Sequence, residues 1–167
     1  RSSARLSAKW IYRCVVDHPR VLDNKALVIV SPAVEGHTPS GVAFGSASGY
    51  IYLNASRALR YRYAVPYEVF TIKNFDAKYY AIMRFAIAQR ISLLVTPNPS
   101  TILRLVNTAD THRDQLVRDV WDGTLAADAE IPLETRLALR PHLKANPARA
   151  KELERLASSA DTFTPEY

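Results

Sequence analysis

The side chains able to do chemistry in this sequence are mostly scattered. Four histidines, His18, His37, His112 and His142, lie far apart, and none has metal-ligand spacing. They are expected at the surface or at caps. Asp110, Asp114, Asp119 and Asp122 fall along one helical segment with Arg118. Asp110 and Asp114 share a face, as do Asp114 and Arg118, so solvated ion pairing is expected there. "GSASG", Gly45 to Gly49, offers backbone amides to an anion. No lysine follows Gly49 before Lys73, and a close-packed backbone turn is the competing expectation. One stretch gathers more promise. "LVTPNPSTIL", Leu94 to Leu103, leaves an apolar run, crosses Pro-Asn-Pro and enters helical spacing. Asn98 is placed to cap, Pro99 presets the first helical φ, and the free amides of Ser100 and Thr101 are expected to point out of the helix start. Helix starts at the carboxyl end of a buried strand are where open α/β sheets hold ligands.

Several familiar chemistries are missing. There is no G-x-x-x-x-G-K-[ST] phosphate loop, no G-x-G-x-x-G after a strand and no G-x-S-x-G elbow. The balance is basic, with 22 Lys+Arg against 16 Asp+Glu and a net charge of +6. That admits a nucleic-acid partner. Only "SRALRYRY" concentrates arginine, interleaved with tyrosines that can stack on bases. One such cluster without a recognition motif makes a nucleic-acid-binding domain the weakest alternative.

These residues must be positioned by a single folded unit. The 167 residues, 48% hydrophobic and 23% charged, suit one globular domain. No apolar run approaches the roughly 20 residues that span a bilayer. No apolar signal core follows the charged start, and Cys14 is alone. No membrane association and a cytoplasmic location are therefore expected.

Ser3 is expected to cap a helix to about Asp17, with Leu6, Trp10, Ile11, Cys14 and Val15 on one stripe. "ALVIVS", Ala26 to Ser31, and "ISLLV", Ile91 to Val95, read as buried strands. "GVAFGSASGYIYL" spaces glycines every four residues and reads as irregular extended chain with tight backbone approaches. "YEVFTI" is expected to be a strand. Asn74 or Asp76 should cap a helix to about Gln89, with Tyr79, Met83, Ala86 and Ile87 inward. One long helix is expected from Pro99 to Trp121, stopped at Asp122-Gly123. Two shorter helices should follow, Pro132 to Arg140 and Pro147 to Ser158, the second capped by Asn146. Strand-helix alternation makes the fold class α/β, with a short mixed or parallel sheet flanked by helices and a helical last third. One unit over residues 1–160 and a frayed tail over 161–167 complete the expectation.

The order of motifs carries a family resemblance. "KALVIVSPAVEGHTPSGVAFGSASG" resembles the strand, T-x-x-G turn and Gly/Ser segment of bacterial members of the Gretchen Hagen auxin-responsive family. "YAVPYEVFTIKNFDAKYYAIMRFAIAQRISLLVTPNPSTILRLV" is similar to the block that follows, with "NPST" in place of the plant "FAS" form. "LVRDVWDGTL" resembles the closing D-I-x-x-G-T-L signature. The likeness runs over about residues 5 to 155.

Members of that family are acyl-acid amido synthetases of the adenylate-forming, luciferase-like superfamily. The resemblance implies two steps: a carboxylic acid is adenylated by ATP with Mg²⁺, then an amine or amino acid takes the acyl group. It implies that this chain is an internal piece of the large N-terminal domain. The Ser/Thr/Gly-Lys phosphate loop and the later nucleotide and metal motifs of the family are not in it. The piece is expected to bind neither ATP nor Mg²⁺ by itself, to be inactive alone, and to carry no catalytic or metal residue. What carries over is the acyl-acid pocket. Tyr12 and Arg13 match a helix that supplies a tyrosine and a carboxylate-facing arginine, with Arg5 as a rival. Asn98, Ser100 and Thr101 match the first turn of the later helix. The alternatives are a non-catalytic binding module and, more weakly, the nucleic-acid-binding domain.

Overall fold

The structure, a computed structural model, describes residues 2–159, and all of their side chains except those of 2–8, 11, 128 and 129. The expected tail, 161–167, lies outside the described residues, as do the side chains of Ser3, Arg5, Leu6 and Ile11. Nine α-helices and four short strands are present among the described residues. The α/β expectation holds, with helix predominating.

Strand β1 (Lys25–Val28) pairs parallel with β4 (Ile91–Val95), and the register places Ala26 against Leu93 and Val28 against Val95. The chain between them makes the crossover. It holds a two-residue hairpin, β2 (Gly36–His37) with β3 (Ala43–Phe44), and four helices. These are α2 (Ala47–Leu53), α3 (Arg57–Arg62), α4 (Tyr67–Phe70) and α5 (Phe75–Ile87). The free side of β1 is met by one bridge, with the Ala64 amide donating to the Ala26 carbonyl at 2.9 Å. Ala26 and Leu27 are buried, as expected for β1. β4 departs from the expectation: its residues are half-buried and Leu94 is 40% exposed. A two-stranded sheet leaves β4 as an edge, so only one of its sides is paired.

Local chemistry sets most boundaries. Asn74 caps α5 by accepting from the Ala77 amide at 3.0 Å. Asn146 caps α9 (Pro147–Ser159) in the same way, accepting from the Arg149 amide at 3.1 Å, with proline at the first helical position. Gly123 takes φ 73 and ends α7 (Arg113–Asp122) in the left-handed region. α1 (Ser2–Asp17) and α8 (Leu133–Leu139) fall where helical spacing put them. Trp10 is nevertheless exposed, because the main described neighbour of α1 is the 3₁₀ turn Pro19–Leu22.

Three segments differ from the sequence-based expectation. "YEVFTI" is not a strand: α4 is a single helical turn, and the Ile72 amide donates to the Val69 carbonyl at 3.3 Å. Val69, Phe70 and Ile72 are all buried in one cluster. A strand would send the neighbours Val69 and Phe70 to opposite faces. The Gly/Ser segment is extended only to Ser46, whose hydroxyl then caps helix α2 by accepting from the Ser48 amide at 3.2 Å. The tight approaches are real. A Cβ on Gly49 would overlap the backbone of Ser31 and Ala33, and one on Gly45 the backbone of Ala33 and Val34. Gly49→Ala is therefore expected to lower stability by about 1–3 kcal/mol, seen as an earlier urea midpoint with unchanged slope. A midpoint equal to the parent's would show that the backbone yields there.

The long helix is broken. α6 (Ser100–Thr111) ends at His112, which has φ −114 and ψ 21, and α7 restarts at Arg113. Thr108, Asp110 and Thr111 are weak helix formers, so the joint is cheap to open. The break gives each half its own partner: α6 packs on α5, and α7 packs on α9. The basic stretch "SRALRYRY" forms helix α3, which Ser56 caps by accepting from the Leu59 amide at 3.2 Å. The spacing did not announce this helix.

The core gathers around α5, which is buried on most of its circumference. Ala77, Tyr80, Ala81, Ile82, Arg84, Phe85 and Ala86 are buried, while the expected Tyr79, Met83 and Ile87 are half-buried against them. The "LVRDVWDGTL" signature closes this core. Asp119, 1% exposed, accepts from the Tyr80 hydroxyl, the Thr124 hydroxyl and the Ala126 amide, each at 2.7 Å. Arg84, also 1% exposed, donates through Nε to the Thr124 carbonyl at 2.9 Å. Asp119 is thus a core residue, not the solvated ion-pair member expected from helical spacing. No described helix is long and apolar enough to cross a membrane.

Candidate functional site

The carboxyl ends of β1 and β4 open into a cleft of about 220 Å³. Ile29, Val30, Ser31 and Pro32 enter it from the end of β1, and Thr96, Pro97 and Asn98 from the end of β4. Phe75, Lys78, Tyr79 and Ile82 of α5 line another side, with Phe70 and Thr101 completing it. The walls are held by backbone bonds. The Ile29 amide donates to the Val95 carbonyl at 2.8 Å, and the Ser46 amide to the Pro32 carbonyl at 2.9 Å. The Tyr67 hydroxyl accepts from the Ala33 amide at 2.7 Å.

The Pro-Asn-Pro turn does what its grammar predicts. Asn98 Oδ1 accepts from the Ser100 amide at 3.0 Å and from its hydroxyl at 2.9 Å. The Thr101 amide donates to the Asn98 carbonyl at 3.1 Å. The two amides expected to face a ligand are therefore used inside the turn. Asn98 and buried Thr101 line the cleft, whereas Ser100 is exposed and does not. Tyr12 and Arg13 are not brought to it either. Both are exposed on α1, and Arg13 pairs with Asp17 at 3.4 Å one helical turn on.

Lys78 is the cleft residue that sequence reasoning missed. It is half-buried, and its ammonium stands 5.1 Å from the Phe75 ring centroid. Burial lowers its pKa below the ordinary lysine value, with Glu35 pulling the other way. The available signal was a lysine near the start of α5, where the helix dipole disfavours a cation. At the rim, Arg104 pairs with Asp76 at 2.7 Å and lies 4.9 Å from the Tyr79 ring centroid.

The other candidates resolve into structure. Gly45 and Gly49 press against backbone, and the Ser46 and Ser48 hydroxyls bond each other at 2.7 Å, so "GSASG" is the close-packed start of α2. The four histidines are exposed, and no cluster of three potential metal ligands exists among the described residues. His112 sits edge-on to Tyr80 at 5.4 Å. A second concavity, about 360 Å³, lies at the amino ends of the strands and includes Lys25, Tyr61, Arg62 and Arg90. Its cations are already engaged. Lys25 donates to the Tyr61 carbonyl, Arg62 to the Leu22 carbonyl, and Arg90 pairs with Glu152.

A family model described as the GH3 family N-terminal domain matches residues 1–166. The chain belongs to the GH3 family. No curated protein matches it. A solved structure, "GH3.15 acyl acid amido synthetase", aligns with a TM-score of 0.68 at 17% identity. That alignment covers 93% of this chain and 28% of the other, so the chain spans about a quarter of that protein's length. At this identity the likeness speaks for the fold, which matches part of a GH3 N-terminal domain. Within the GH3 chain, the cleft at the carboxyl ends of parallel strands is where α/β sheets bind ligands.

Proposed function

We propose that this chain is the acyl-acid-binding part of an ATP-dependent amido synthetase, which adenylates a carboxylic acid and passes the acyl group to an amine or amino acid. Membership of the GH3 family carries the reading, and the similar fold of a protein named as an acyl acid amido synthetase supports it. A Cβ at Gly45 or Gly49 would meet backbone, so the Gly/Ser segment is close-packed there. In this reading the nucleotide is held by parts of the protein beyond this piece, which alone is inactive. What these residues supply is a wall for the acid: Asn98 and Thr101 beside an apolar surface. Tyr12 and Arg13 are proposed as a separate contact on α1, with Ser100 next to Asn98 on the turn.

The test is acid- and amine-dependent release of pyrophosphate from ATP by the natural protein that contains this chain. Release is expected with a subset of a broad carboxylic-acid panel. Silence across the panel, in a protein shown to be folded, overturns the synthetase reading. In the same assay Arg13→Ala, at an exposed contact outside the cleft, should raise the KM for the acid about threefold while leaving that for ATP unchanged, the size of a solvent-exposed charge contact. An unaltered acid KM removes Arg13 from the site.

A further inference from the structure

We propose that Lys78 is the cation that receives the carboxylate of the acid in the cleft at the carboxyl ends of β1 and β4, and that the cleft limits this acid to a small one. This rests on the cleft being the acid pocket, and it names the anchor and the size of the acid.

Lys78 is a cation without a counter-charge in contact. Among the described residues it takes part in no ion pair, unlike Arg104 and Arg149, which hold Asp76 and Glu152 at 2.7 and 2.8 Å. Glu35 acts on it only at longer range. The half-buried Lys78 ammonium lines the cleft without a carboxylate in contact, so an anion entering the cleft meets a cation it can pair with. Burial depresses its pKa, and a bound carboxylate reverses the shift.

The rest of the lining selects the anion. Ile29, Phe70 and Ile82 give an apolar surface, and Ser31, Thr96, Asn98 and Thr101 are polar groups beside it. Lys78 is the one charged residue in this lining, and a single cation suits a monocarboxylate better than a phosphate, which carries more charge. The volume, about 220 Å³, lies below the roughly 300–1,000 Å³ of drug-sized pockets. It suits an acid with one ring or a short chain.

The experiment titrates the natural protein that contains this chain with benzoate, hexanoate and the neutral benzamide, followed by amide chemical shifts and by the melting temperature. Benzoate or hexanoate is expected to shift Asn98 and Thr101 while benzamide does not. Lys78→Met should weaken the acid about tenfold or more, as loss of a charged hydrogen bond predicts, and leave the melting temperature equal or higher. Lys78→Arg should retain part of the affinity. Equal binding of benzoate and benzamide, no shift at the cleft with either acid, or an acid affinity indifferent to Lys78→Met overturns the proposal. Failure of pyrophosphate release with the Lys78-dependent acid site intact sinks the synthetase reading alone. Release that survives while the acid ignores Lys78 sinks this site alone.

Discussion

Asp119→Ala is expected to destabilise the chain by about 3–5 kcal/mol, the cost of removing one partner from a buried charged network. Three donors lose their acceptor at once: the Tyr80 hydroxyl, the Thr124 hydroxyl and the Ala126 amide. Arg84, buried and already with an unpartnered Nη2, loses the carboxylate that favours its charge. Against a typical total stability of about 5–15 kcal/mol, the variant risks not folding. Asp119→Asn keeps one acceptor and the shape, and should fall between the two. Urea unfolding of both variants gives the comparison. A midpoint for Asp119→Ala within error of the parent would mean that the signature aspartate does not hold this core.

Phe70→Ala should cost a similar amount, about 3–5 kcal/mol, by the combined loss of apolar burial and creation of a cavity. Phe70 is 1% exposed and sits edge-on to Tyr52 at 5.9 Å. It also lines the cleft, so the space left by its ring joins the site. Two readouts should therefore move in opposite directions: the melting temperature falls, and the chain accepts acids bulkier than benzoate. Phe70→Leu keeps much of the volume and should restore most of the stability. An Ala variant as stable as the parent would place Phe70 outside the tightly packed core.

The two substitutions show how differently the sequence speaks. Phe70 was legible as an apolar residue but was assigned to a strand, because β-branched and aromatic residues also favour strands. Only the cluster formed with Tyr52, Val65 and Ile72 makes a single helical turn the better burial. Asp119 looked like one more surface carboxylate at helical spacing. Its burial follows from the break at His112, which turns α7 so that Asp119 meets Tyr80 of α5, 39 positions earlier in the chain. Neither relation leaves a local mark.

The site divides along the same line. Asn98 and Pro99 were readable because capping is local chemistry, decided within three residues. The use of the Ser100 and Thr101 amides inside that cap was decided by the same few atoms, and it leaves their role to side chains. Lys78 carried one local signal, a cation near a helix start, but nothing within "NFDAKYY" indicates that its helix faces the ends of two strands.

The sequence by itself determined the cap at Asn146, the stop at Gly123 and the strands β1 and β4, and it narrowed the cap of α5 to Asn74 or Asp76; the order of its motifs gave the family. The caps and the stop rest on backbone geometry and short-range hydrogen bonds that travel with the residues. Tertiary structure alone decided the turn at Tyr67–Phe70, the split at His112, the burial of Asp119 and the placing of Lys78 in the cleft. Those depend on which distant surfaces meet, because burial and desolvation are properties of the assembled neighbours and not of the residue.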